Sequence, residues 1–211
     1  MKQNKLYPLF LLYALIPILV QGQQAEYNWG NNWMHGGQKF VGIDFINSST
    51  GTMMNNGIVW YSGNFTNDGI VDFDNSLAIN PAQTLFAGDA LQHIAGNGTT
   101  RFYSLMFGSQ LTPLAYNLEQ NISVVHLLDL RKGILNTLQT KPETMMNMLQ
   151  LENGATCINA SNGSFVDGFV SKTGNSTFTF PIGNGGLSSG FHIIARSSYR
   201  LFCSALPLCE S

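Results

Sequence analysis

The stretch Asn55-Asn56-Gly57-Ile58-Val59-Trp60-Tyr61-Ser62-Gly63-Asn64-Phe65-Thr66-Asn67-Asp68-Gly69-Ile70-Val71 states one phrase twice, twelve residues apart. Each copy is a turn dipeptide, Asn-Gly or Asp-Gly, followed by the β-branched pair Ile-Val. Such dipeptides supply the positive φ of tight turns, and Ile-Val starts a strand. A looser copy, Phe45-Ile46-Asn47 through Gly51-Thr52-Met53, precedes them, and Gly63-Asn64-Phe65-Thr66 leads into the second clear copy. The spacing predicts a ladder of short strands and turns over residues 38–75.

Such a ladder is either a meander of antiparallel hairpins or the successive edges of a β-solenoid, whose coils touch only their neighbours. Further along, Thr84 to Phe86, Leu91 to Ile94, Arg101 to Phe107, Asn121 to Leu130 and Ile134 to Leu138 are strand-like runs with irregular Gly, Asn and Pro punctuation. Strands of similar length joined by loops of variable length favour the solenoid. Leu138 to Leu151 holds Met145, Met146, Met148 and Leu149, but Pro142 and the lack of caps make it a loop feeding a strand. Asn153-Gly154, Asn162-Gly163 and Gly183-Asn184-Gly185-Gly186 are turns around the strands Ser164 to Val170 and Ser176 to Phe180. The expected fold is therefore all-β, a parallel β-helix or β-solenoid-like stack. A β-sandwich or antiparallel meander is the alternative.

Composition agrees with many short strands. Charged residues are 10% of the chain, and Lys plus Arg number 10 against 12 Asp plus Glu, a balance with no basic patch for nucleic acid. Val, Ile, Phe and Tyr are plentiful beside Gly, Asn, Ser and Thr, which suits strands and turns better than amphipathic helices or disorder. The three cysteines, Cys157, Cys203 and Cys209, form no disulfide framework; a Cys203–Cys209 pair is the one conceivable bridge.

The N-terminus reads as an export signal. Lys2 and Lys5 precede the apolar run Leu6 to Val20, which is shorter than the ~20 residues of a membrane span. Val20 and Gly22 fit the −3 and −1 positions of a cleavage site before Gln23, with an uncleaved anchor as the alternative. The expected organisation is a signal peptide over 1–22, a β-solenoid-like domain over 23–187 and an atypical tail over 188–211. No membrane span is expected after signal removal.

Few residues suggest chemistry. Asp68, Asp72 and Asp74, with Asn75 and Ser76, offer oxygen ligands but lack the distal bidentate acid of a calcium loop, so solvated turns are the preferred reading. The same trio is the only enzyme candidate, and the lack of Lys or Arg between Lys39 and Arg101 argues against a lyase. His35, His93, His126 and His192 have no zinc-like spacing, and no Gly-x-Ser-x-Gly elbow or phosphate loop occurs. No cofactor or metal is expected. Trp29, Trp33, Trp60 and Tyr61 can stack on sugar rings. Trp60 and Tyr61 are the candidate glycan-stacking residues, although adjacent strand positions force one of them inward; Trp29 and Trp33 are read instead as caps of an open solenoid end. Sequons at Asn47, Asn64, Asn97, Asn121, Asn159, Asn162 and Asn175 would matter in a eukaryotic glycoprotein, and otherwise follow from composition.

Five segments in order resemble large secreted or cell-surface repeat proteins of Bacteroidetes associated with type IX secretion. They are Ile58 to Gly69, Gln92 to Leu105, Leu128 to Thr137, Gly163 to Gly168 and Thr177 to Gly186. They match the patterns G-N-F-T-N-N-G, Q-x-I-x-G-x-G-T-T-x-F-Y-x-L, L-x-L-x-x-G-I-L-N-T, G-S-F-V-x-G and F-T-F-P-I-G-x-G. The resemblance covers residues 38–187 and implies a parallel β-helix with an adhesin-like surface role. After Gly186 the family continues with Tyr-Arg-Pro, whereas this chain reads Leu187-Ser188-Ser189-Gly190-Phe191. One back-translation of those five residues yields Tyr-Arg-Pro-Ala in another frame, so the expectation is a truncated relative whose tail is out of frame. The expected function is a non-catalytic exported structural or adhesin-like segment, located in the periplasm, at the cell surface or outside the cell. Its expected partners are extracellular glycans or other surface proteins. The alternative is a β-helix carbohydrate-active enzyme or glycan-binding module.

Overall fold

The computed structural model describes residues 25–76, 82–111, 114–138, 147–184, 187–188, 191–194 and 201–203. Three short strands separated by corners make one coil. β1 (Ala25–Asn28), β2 (Asn31–Met34) and β3 (Gln38–Val41) form the first; β4 (Asp44–Asn47), β5 (Thr52–Asn55) and β6 (Ile58–Tyr61) the second; β7 (Phe65–Asn67), β8 (Ile70–Asp72) and β9 (Gln83–Phe86) the third. In the next two coils the second and third strands merge: β10 (Gln92–Ala95) precedes β11 (Thr99–Gly108), and β12 (Leu114–Glu119) precedes β13 (Ile122–Lys132). Register slips between Phe102 and Ser104 mark where β11 and β13 bend from one face to the next. β14 (Ile134–Asn136), β15 (Leu149–Leu151) and β16 (Thr156–Ile158), then β17 (Val166–Asp167), β18 (Val170–Lys172) and β19 (Thr177–Phe180), continue the stack.

Counterpart strands of successive coils pair in parallel, so that β1-β4-β7-β10-β12-β14-β17 runs down one face. The molecule is a three-sided parallel β-solenoid of about six turns. β20 (Ile182–Asn184) pairs in parallel with β17. The pairing sense then changes: β21 (Leu187–Ser188), β22 (Phe191–Ile194) and β23 (Leu201–Cys203) lie antiparallel to β20, β19 and β18. Residues 1–22 and the Cys203–Cys209 pair lie outside the described side chains, as does most of 138–148.

Alternation of side chains fills the lumen with vertical apolar columns. Phe45, Phe65, Ile94 and Leu118 are register partners on one face, and Val41, Tyr61, Phe86, Phe107 and Leu130 on another. Rings stack from coil to coil within these columns: Phe45 on Phe65 at 5.5 Å, Tyr61 on Phe86 at 5.5 Å and Phe86 on Phe107 at 5.8 Å between centroids. Such offset contacts add to the burial energy of the rings.

The twelve-residue repeat is not the coil. Vertical register pairs Asn47 with Asn67, a step of 20 residues, so the looser copy is the true counterpart of the second clear one. Asn55 and Asn67 occupy two different corners that use the same device. At each, the Asn Oδ1 accepts the N–H two residues on, from Gly57 at 2.9 Å and from Gly69 at 3.0 Å.

Positive φ does not explain those glycines either, because neither Gly57 nor Gly69 adopts it. Space does. The Gly69 carbonyl accepts the Thr99 N–H at 2.8 Å, and the Gly51 carbonyl accepts that of Ile70 at 2.9 Å, so corners of adjacent coils press together. A Cβ on Gly69 would lie 2.1 Å from the Gly51 oxygen, and one on Gly98 would lie 2.2 Å from the Gly69 oxygen.

The corner column carries a buried ladder of amides. Asn28 Nδ2 donates to Asn47 Oδ1 at 2.8 Å, Asn47 Nδ2 to Asn67 Oδ1 at 2.7 Å, and Asn67 Nδ2 to Thr100 Oγ1 at 2.7 Å. Thr100 Oγ1 then donates to Gln120 Oε1 at 2.9 Å. Each of the three asparagine amides also donates to a backbone carbonyl, as Asn47 does to Gly51 and Ile70. Carbonyls at the corner thereby take a further bond; that of Gly51 also accepts the Ile70 N–H.

The upper end of the lumen is closed by polar side chains, not by the expected Trp29 and Trp33. Register places Glu26 over Phe45, Asn32 over Met53 and Lys39 over Val59, all inward positions, and Lys39 Nζ pairs with Glu26. A charge tolerates a lumen position where water reaches it, as at the end, or where buried acceptors bond it. Trp29 and Trp33 instead point out and are largely exposed.

Candidate functional site on the outer wall

The expected stacking pair divides as alternation requires. Tyr61 is 2% exposed within the aromatic column, and burial raises its hydroxyl pKa, so it cannot meet a sugar. Trp60 points outward at 40% exposure. Its register partner Phe40, 66% exposed, adjoins it one coil above. Phe40 carries no local signal of this neighbour, because the pairing depends on a coil length that the sequence does not display.

The aspartate trio does not converge. Asp68 Oδ1 accepts the Asn97 N–H at 3.0 Å, Asp72 Oδ1 accepts the Phe73 N–H at 2.9 Å, and Asp74 Oδ1 accepts the Ser76 N–H at 2.8 Å. The bonds from Ser76 hold the Asp74 carboxyl below its ordinary pKa. Among the described residues no three His, Cys, Asp or Glu side chains gather as metal ligands. His93 Nδ1 bonds Glu119 Oε1 at 2.5 Å, His126 stacks on Tyr103 at 4.9 Å, and His35 stacks on Trp33 at 5.8 Å. The side chain of His192 lies outside the described ones.

The wall does hold an ionic cluster that linear reading did not show. Asp72, Arg101, Ser123 and Glu152 come from four successive coils. Arg101 grips Glu152 with two bonds, Nε to Oε1 at 2.7 Å and Nη2 to Oε2 at 3.0 Å, and reaches Asp72 at 3.5 Å. Ser123 Oγ donates to Glu152 Oε1 at 3.1 Å, and the guanidinium lies 4.9 Å over the Phe73 ring. The Arg101 bonds hold the Glu152 carboxyl below its ordinary pKa, and the same bonds raise that of Arg101. A carboxylate locked to a guanidinium neither takes nor gives a proton near neutral pH. The cluster clamps coils together, and only a trace of space, about 10 Å³, adjoins its Phe73 side.

Beside this clamp the wall opens. A cleft of about 320 Å³ is lined by Thr99, Asn121, Ser123 and Gln150, and a second of about 220 Å³ by Asn97, Glu119, Gln120 and Asn121. They share Gly98 and Asn121 and so form one groove across a corner. The corner between β12 and β13 spans 120–121, one residue shorter than the 96–98 corner above it, and forms the floor of the groove.

Other groups are structural. Asp129 is buried on bonds from Asn159 Nδ2 and Arg131 Nε, both 2.7 Å. Burial pushes the Cys157 thiol up to about 12, which leaves it a poor nucleophile. Lys172, 1% exposed, lies in the lumen with Nζ donating to the carbonyls of Glu152 and Thr173 at 2.8 Å, and burial lowers its pKa. Asn47 of the first sequon is fully buried, with Nδ2 committed to the ladder, and is closed to glycosylation. No described helix is long and apolar enough to cross a membrane.

Fold and wall together define the class: a parallel β-solenoid with paired surface charges and a shallow groove in which amides and hydroxyls stand beside Ile122 and Met148. No protein-family model, curated protein or solved structure matches the chain.

Proposed function

We propose that this chain is a non-catalytic, exported structural or adhesin-like segment of a cell surface, of the kind its five Bacteroidetes-like segments suggest. The observation that carries this reading is the outer wall. Stacked coils repeat short polar side chains at strand spacing, and the charged and imidazole side chains Arg101 with Glu152, His93 with Glu119 and Arg131 with Asp129 are paired with one another. Such a wall supports many shallow contacts that add up through repetition rather than one deep reactive pocket. Parallel coils also leave few free strand edges along the shaft, which suits an exposed extended part.

The test is retention of cells and insoluble polysaccharide particles by the immobilised full chain, with release of reducing ends and unsaturated uronates followed in parallel. Retention without release supports the reading; no retention sinks the adhesive role, and sustained release makes the chain a carbohydrate-active enzyme. The neighbouring Phe40 and Trp60 rings favour a second reading, a glycan-binding module. In that case Trp60→Ala lowers retention of polysaccharide particles while leaving the melting curve in place.

A further inference from the structure

We infer that the groove beside the amide ladder is a binding subsite for a neutral, polyhydroxylated ligand, the chemistry of an uncharged oligosaccharide. The ladder itself supplies the first reason. Every amide above Gln120 uses its NH2 to donate toward the next coil, from Asn28 down to Asn67. Gln120 accepts from Thr100 through Oε1, yet its Nε2 has no partner although the residue is 4% exposed. A buried donor left empty costs about 1–3 kcal/mol, so it marks a place where an oxygen acceptor belongs. Gln120 lines the smaller cleft; its Nε2 lies just beneath that surface, and a turn of the side chain brings it to an acceptor in the cleft.

The lining specifies the ligand class. Asn97, Asn121, Gln150, Thr99 and Ser123 offer amides and hydroxyls, which donate and accept, as sugar hydroxyls do. No lining residue is Lys or Arg, and Glu119 stands at one margin. An anionic sugar would meet this carboxylate and would find no Lys or Arg among the lining residues to receive its own charge; His93 is already engaged by Glu119. The larger cleft alone reaches the lower part of the ~300–1,000 Å³ range of ligand sites, and the shared Asn121 extends it across the corner, which suits two or three linked rings.

This inference deepens the proposed surface role and rests on it only for the source of the glycan. The full chain, labelled with 15N, is titrated with the neutral trisaccharides cellotriose, chitotriose and maltotriose and with anionic trigalacturonate, while the side-chain amide signals of Gln120, Asn121 and Gln150 are followed. The expected result is movement of these signals by at least one neutral probe, with a Kd of about 1 mM, and none by trigalacturonate. Thr99→Arg, at an exposed lining position, should weaken that binding at least tenfold with an unchanged melting curve. Silence of these amides toward all neutral probes up to about 20 mM would mean a water-filled cleft only and overturns the inference. An equal response to trigalacturonate overturns the ligand class. Retention of cells or particles by a chain whose groove stays silent would discard the subsite and leave the surface role standing; loss of retention with a responsive groove would do the reverse.

Discussion

Replacing Asn47 by Ala removes the middle rung of the amide ladder, and the structure sets the size of the effect. Asn47 is fully buried, accepts one bond from Asn28 and donates to Asn67 Oδ1, the Gly51 carbonyl and the Ile70 carbonyl at 2.7–3.2 Å. Truncation removes all four of these bonds, although the Gly51 carbonyl keeps the Ile70 N–H. At about 1 kcal/mol net for each bond lost, the expected loss is about 3–5 kcal/mol. Asn28→Ala, at the half-buried end of the ladder, should cost about 1 kcal/mol.

Asn47→Asp sharpens the test, since it keeps the shape and turns the donor into an oxygen facing three acceptors. The new carboxyl is disfavoured as an anion, so its folded pKa lies above the unfolded ~3.9. A raised pKa contributes stability that is present below about pH 3.9 and lost as pH rises through the folded value. Asn47→Asp should therefore be the less stable of the two variants at pH 7 and recover toward Asn47→Ala in acid, each measured against wild type at the same pH. Urea denaturation followed by circular dichroism reads the midpoints, and amide exchange shows whether the first three coils loosen first, as nearest-neighbour stacking requires. Equal costs for Asn28→Ala and Asn47→Ala, or an Asn47→Asp deficit that does not change with pH, would refute the ladder as a source of stability.

Gly69→Ala places a Cβ 2.1 Å from the Gly51 oxygen and should destabilise by about 1–3 kcal/mol or more, whereas Gly30→Ala, with nothing within 4 Å, should be near neutral; thermal melts of both variants decide. The Glu152 carboxyl has a depressed pKa, so its contribution is present above the unfolded value near 4.3 and is lost as pH falls through the folded one. Glu152→Gln should therefore lower stability at pH 7 by about 1 kcal/mol, because the pair is partly exposed, and the gap to wild type should close in acid. Urea midpoints between pH 3 and pH 7 measure it, and a gap that persists at the acid end would show that the clamp is not ionic.

The sequence disclosed the alphabet of the fold more readily than its grammar. Asn-Gly and Asp-Gly followed by Ile-Val do begin strands, β6 at Ile58 and β8 at Ile70, and the irregular spacing of later runs fits a solenoid. The coil length stayed hidden because two corners of one coil use the same Asn-x-Gly device, which creates a twelve-residue echo inside a 20-residue step. Ser164 to Val170 read as one strand, yet Gly168 at φ +133° breaks it into β17 and β18. β12, with Leu114, Ala115 and Leu118, passed unremarked because nothing in its composition sets it apart from a loop feeding β13. For the site, strand alternation foretold that Trp60 and Tyr61 would face opposite ways. Arg101 and Glu152 are 51 residues apart, and only the vertical stacking of coils makes them neighbours.

The same column of amides accounts for the regular part of the shaft and for the place where it departs from regularity. Asn28, Asn47 and Asn67 repeat at 19 and 20 residues, and over those coils each corner receives the donor above it. A chain that keeps this step can extend a dry ladder indefinitely, with no polar group left over and no opening in the wall. Below Asn67 the step lengthens to 33 residues and then returns to 20: Thr100 and Gln120 replace the asparagines, the 120–121 corner is shorter, and the last donor finds no acceptor. A long glutamine in place of asparagine keeps the bond to the rung above while its side chain lines the cleft. An apolar residue there would have left the buried Thr100 hydroxyl without its acceptor, so Gln120 meets one donor and carries the unmet one to the next rung. Thr100 and Gln120 are the two rungs that border the groove, and an amide that ends the ladder there with a spare donor is the arrangement a ligand from outside would complete.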